Sequence, residues 1–89
     1  MDKLALLSLS NDLKRITISI QRGSMDNSKR FQIEAQKWLK EASLSNDPYL
    51  ISLLKKVEKT LELKDDLKKA EDCLMYTVLL QNQALYATK

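Results

Sequence analysis

Apolar positions recur at spacings of three and four along most of the 89-residue chain, the rhythm of helices that bury one side. Leu6, Leu9, Leu13, Ile16 and Ile20 form the first such stripe, and Leu4, Leu7 and Ile18 widen it. The spacing predicts a helix over 3–22, ended by Gly23, since glycine readily takes the left-handed conformation that follows many helices. The alternation Ile16-Thr17-Ile18-Ser19-Ile20 also fits a strand, but nothing else in the chain offers it a partner. A second stripe, Phe31, Ala35, Trp38 and Ala42 with Leu39 beside it, predicts a helix over 25–42, with Ser24, Asp26 or Ser28 as its cap and Trp38 as its core anchor.

The clearest punctuation is Asp47-Pro48. An aspartate at the N-cap followed by proline at the first helical position supplies an acceptor for free amides and needs no N–H of its own. The helix that starts there carries Leu50, Leu54, Val57 and Leu61, widened by Ile51 and Leu53, with Tyr49 near its entrance. No glycine or proline follows, so this helix could run to Thr88, about 60 Å. A break within Leu61–Asp66, with Asp65 or Asp66 capping a new helix, is the favoured reading, because a compact core is hard to build around one long rod. The expected helices are therefore 3–22, 25–42, 48–61 and 65–87, the last two alternatively one.

Residues 73–86 depart from the simple pattern. Leu74, Val78 and Leu85 continue a stripe that begins at Leu63, Leu67 and Ala70. Met75, Leu79 and Tyr86 form a second stripe, and Cys73, Tyr76 and Leu80 a third. Only Thr77, Gln81, Asn82 and Gln83 interrupt them. A helix apolar on several sides is either surrounded by its own domain or leaves one stripe for another chain.

Composition narrows the class. One glycine, one proline, 44% hydrophobic and 30% charged residues indicate an all-α chain with few turns. Its length suits a single domain, 1–89, folded as an antiparallel bundle of three to four helices. Small domains gain stability from disulfides, metals or oligomerisation. One cysteine and no histidine leave oligomerisation as the natural route, and no cofactor is expected. The unpaired cysteine and the lack of a signal-peptide pattern or an apolar run of membrane-spanning length point to a cytoplasmic protein.

Catalytic chemistry finds little support. Without histidine the commonest general acid/base is missing, and no phosphate-binding glycine loop or hydrolase motif occurs. Cys73 lies in an apolar segment and reads as an inert buried thiol. Asp65, Asp66, Glu71 and Asp72 are interleaved with Lys68 and Lys69 and read as a charge-balanced surface.

The expected function is accordingly non-enzymatic: a protein–protein interaction or oligomerisation module, forming a homodimer or higher homo-oligomer. Its contact would be the C-terminal helix, through Met75, Tyr76, Leu79, Leu80 and Tyr86. The alternative is a small basic nucleic-acid-binding regulator. The net charge is +3, and Lys14, Arg15, Lys29, Arg30, Lys55, Lys56 and Lys59 would be its phosphate contacts.

Overall fold

The computed structural model describes residues 3–44 and 47–86, the last by its backbone alone. Four helices fill them: α1 (Lys3–Gln21), α2 (Met25–Ala42), α3 (Pro48–Leu61) and α4 (Asp66–Tyr86). The bundle is all-α, and the expected boundaries hold to within a residue or so. Residue 87, the expected end of the last helix, lies outside the described residues.

Each break has a local cause. Gly23 has φ 73°, and the amides of Gly23 and Ser24 donate to Ile20 O and Ser19 O at 3.0 and 2.8 Å. These two bonds close the end of α1 as a Schellman motif. An added Cβ at Gly23 would meet nothing within 4 Å, so the dihedral is what requires glycine. Ser24 sits at the N-cap of α2, yet its hydroxyl caps no amide and accepts from Asn27 Nδ2 instead.

The caps of α3 and α4 match the expectation. Asp47 Oδ1 accepts from the amides of Tyr49 and Leu50 at 3.0 and 3.5 Å, with Pro48 in the first turn. Asp65 Oδ1 accepts from Leu67 and Lys68 at 3.1 and 3.3 Å, which starts α4 afresh and rules out a single rod. Each such cap is worth about 1 kcal/mol.

The helices run up and down in turn. Each packs on its neighbours in the order α1, α2, α3, α4 and back to α1, with α1 and α3 at opposite corners. Extents of 38 × 19 × 19 Å give a square cross-section. The core joins Leu6, Leu9, Leu13 and Ile16 of α1, Ala35, Leu39 and Ala42 of α2, Leu50, Leu53, Leu54, Val57 and Leu61 of α3, and Cys73, Leu80 and Ala84 of α4. Burying one such leucine contributes about 1.5–3 kcal/mol. Phe31 and Trp38 pack half-buried against this core. Leu4 and Ile18, expected to widen the core side of α1, are instead 65% and 37% exposed.

The four seams are unequal. α1 packs extensively on α2 and α4, whereas α3 makes a far smaller contact with either neighbour. Between α1 and α4 the reason is small side chains. Ser10 Oγ donates to Thr77 O at 3.0 Å, and Thr77 Oγ1 shares its proton between Ser10 O at 3.2 Å and Cys73 O of its own helix at 2.9 Å. Two turns along, Thr17 Oγ1 shares its proton between Ala70 O and Leu13 O of its own helix, each at 3.1 Å. These bonds require the two backbones to approach closely and set the antiparallel register, with Ser10 opposite Thr77 and Thr17 opposite Ala70.

Towards α2, helical periodicity turns Ala5, Asp12 and Ser19, all buried and seven residues apart. Buried Ser28, Ala35 and Ala42 repeat at the same interval on α2, so this seam is also built on a heptad of small residues.

Candidate functional site

The expected contact residues of α4 separate into distinct environments. Leu80 is fully buried within the chain, which makes it core and removes it from any contact surface of the folded monomer. Tyr76 and Leu79 pack partly against the core, while Met75 is 47% exposed. The side chain of Tyr86 lies outside the described residues.

The stripe that faces solvent is the one that sequence periodicity would have turned inward. Leu67, Leu74, Val78 and Leu85 are 71%, 50%, 52% and 62% exposed. The seam explains the orientation: α4 buries Ala70, Cys73, Thr77, Leu80 and Ala84 at spacings of three and four, and its larger leucines and valine are left on the outside. On α1, Leu4 and Ile18 are exposed as well.

Beside α3 the surface is concave. One cavity of about 250 Å³ is lined by Tyr49, Ser52, Leu53, Lys56, Met75, Tyr76 and Leu79. A second, of about 210 Å³, is lined by Lys56, Lys59, Thr60, Leu63, Lys68, Asp72 and Tyr76. They share Lys56 and Tyr76, so they form one groove between α3 and α4. Lys68 Nζ stands 3.7 Å from Asp72. On the other flank of α3, a cavity of about 410 Å³ is bordered by Lys40 of α2 and by Glu58 and Glu62.

The basic residues do not converge as a single patch. Lys14 and Arg15 lie on α1 and Lys55, Lys56 and Lys59 on α3, helices at opposite corners of the bundle. Lys29 and Arg30 are exposed at the start of α2. Arg15 is also engaged elsewhere: Nη1 is 3.3 Å from Asp12 Oδ1, and its guanidinium lies 5.6 Å from the Phe31 ring centroid. Of the seven candidates, Lys56 and Lys59 meet, in the α3–α4 groove.

Among the described residues Asp12, Lys69 and Cys73 are buried ionisable groups. Asp12 is 1% exposed and its Oδ2 has no hydrogen-bond partner. Burial, seconded by the charge of Glu34 and opposed by Arg15, pushes its carboxyl up to about 6. Cys73 is fully buried, and burial pushes its thiol up to about 12, with Lys69 lowering and Asp72 raising it. A thiol so protonated is a poor nucleophile. Lys69, 7% exposed, donates from Nζ to Gln32 Oε1 at 3.1 Å, and Gln32 Nε2 donates to Ser28 Oγ at 3.0 Å. This chain of bonds ties α4 to α2. Neither Asp12 nor Cys73 lines the cavities beside α3, and no cluster of three potential metal ligands occurs among the described residues. No helix among them is long and apolar enough to cross a membrane.

Comparison with protein-family models, curated proteins and solved structures gives no match.

Proposed function

We propose that this chain is a non-enzymatic helical interaction module that self-associates through the outward side of α4. One observation carries the reading. Leu67, Leu74, Val78 and Leu85 stand at least half exposed on one side of a single helix. Exposed apolar residues grouped on one face, unlike those scattered singly, mark contact surfaces. A second copy presenting the same face would bury it by a two-fold, self-complementary contact, the commonest arrangement of soluble oligomers. The lone buried thiol suits a reducing compartment, which we take to be the cytoplasm.

Sedimentation of the purified chain from low to high micromolar concentration tests the proposal. The expected result is a concentration-dependent shift from monomer to dimer or larger. In Val78→Asp the shift should disappear while helical circular dichroism is retained, because the position is exposed in the monomer and a charge there meets water. A wild-type chain that stays monomeric throughout, or a Val78→Asp chain that still associates, overturns it.

A further inference from the structure

We propose that the groove between α3 and α4 seats an acidic amphipathic helix from a partner protein. The site is distinct from the self-association face: Tyr76 and Leu79 lie around α4 from Leu74 and Val78, on the flank that faces Lys56 and Lys59 of α3.

Size and shape decide the kind of occupant. The two adjoining hollows, about 250 and 210 Å³, make an elongated groove along the helices where a small-molecule site is a single enclosed cleft. They succeed one another along the helices. From Ser52 to Lys59 is about 10 Å of helix, two turns, the distance between side chains at i and i+7 of a docked helix. A pair of adjoining hollows at that separation receives two anchor side chains better than one compact ligand.

The chemistry decides its charge. Leu53, Tyr76 and Leu79 form an apolar floor, and half-exposed Met75 and Tyr49 stand at its edge. Methionine and tyrosine are enriched in contact surfaces, methionine because it adapts to the shape it meets. Along the rim stand Lys56, Lys59 and Lys68 against the single acid Asp72. The balance differs on the opposite flank of α3, where Glu58 and Glu62 stand against Lys40. A helix with apolar anchors and flanking glutamates complements both floor and rim. A nucleic-acid strand would meet the lysines but leave the apolar floor uncovered.

Fluorescence anisotropy with the full chain gives the test. The probe is a fluorescein-labelled synthetic helix of about 18 residues with leucines at i, i+4 and i+7 and glutamates beside them. Its counterpart with lysines for glutamates, and a single-stranded DNA oligonucleotide, are run alongside. The expected result is saturable binding of the acidic helix, at least about tenfold weaker for the basic one. The double variant Lys56→Glu/Lys59→Glu, at two exposed positions, should lose about tenfold or more for the acidic helix while staying folded. Val78→Asp should bind the probe as wild type does, which separates this result from that of the self-association test. No binding of the acidic helix up to about 1 mM, binding indifferent to Lys56 and Lys59, or tighter binding of the oligonucleotide would each overturn the proposal.

Discussion

Where α1 meets α4, serine, threonine and alanine let the backbones come close enough for hydroxyls to reach the opposite helix's carbonyls. Where α3 meets α4, leucine, tyrosine and lysine hold the helices apart and leave hollows of about 210 and 250 Å³. The same bundle is thus tight around one corner and loose around the opposite one. The difference teaches that small polar residues do here what apolar bulk is expected to do. Close packing of two helices depends on how near their axes come, and short side chains set that distance.

Adding bulk should break the comparison most visibly. Thr77→Leu forces the α1–α4 seam apart and removes the hydroxyl that bonds Ser10 O, so a loss of roughly 2–4 kcal/mol in urea unfolding is expected. Thr60→Leu is the control on the loose side. Thr60 is also buried, but it lines the 210 Å³ cavity and its hydroxyl bonds only within its own helix, to Lys56 O. The same substitution there should change stability by about 1 kcal/mol or less, since the added atoms have room. Equal losses at the two positions would mean that the seams do not differ.

Asp12 sharpens the comparison from the electrostatic side. It is the one buried carboxylate among the described residues, and its folded value of about 6 lies above the ordinary 3.8. Between these two values the folded chain binds the proton more strongly than the unfolded chain does, so this group's contribution to stability falls as pH rises. It is fully present below about 3.8 and lost above about 6. The shift corresponds to about 3 kcal/mol. Asp12→Asn should therefore stabilise the chain by about 2 kcal/mol at pH 7.5, the amide still being buried, and the gain should vanish on acidification to about pH 4. A gain that is constant across that range would show that ionisation of Asp12 is not its source.

The smallest expected effect belongs to the loose corner. Asp47→Ala removes the cap of α3 and should cost about 1 kcal/mol. Native-state hydrogen exchange should place that loss in α3 first, its amides exchanging through a local opening that leaves α1 protected. Uniformly faster exchange in all four helices would mean that α3 has no independent opening.

Helix boundaries were legible in the sequence because each rests on a residue with a single strong local reason: Gly23 for its positive φ, Asp47 with Pro48, and Asp65 for their caps. The stripe of α1 was legible too, since Leu6, Leu9, Leu13 and Ile16 are both large and buried. The orientation of α4 was not. Hydrophobicity ranks Leu74 and Val78 above Cys73 and Thr77, yet the second pair is inside. Thr77 reads as an interruption of the apolar pattern and proves to be the middle of the tightest seam. One signal could have found it: Ala70, Thr77 and Ala84 repeat every seven residues, as do Ala5, Asp12 and Ser19, and Ser28, Ala35 and Ala42. For the same reason the expected contact set of α4 was mixed, with Leu80 in the core and Tyr76 and Leu79 beside the groove. The meeting of Lys56 and Lys59 with Lys68 depends on how α3 and α4 are placed side by side, which spacing within either helix does not encode.

Cys73, buried in the core cluster to which all four helices contribute, gives this chain a clock. A chain with one thiol, held protonated and out of reach of solvent, can be alkylated only while that core stands open. The pace of labelling under native conditions then counts how often the bundle opens. Compared with the exchange of α3 amides, it tells whether the core opens whenever α3 does or more rarely.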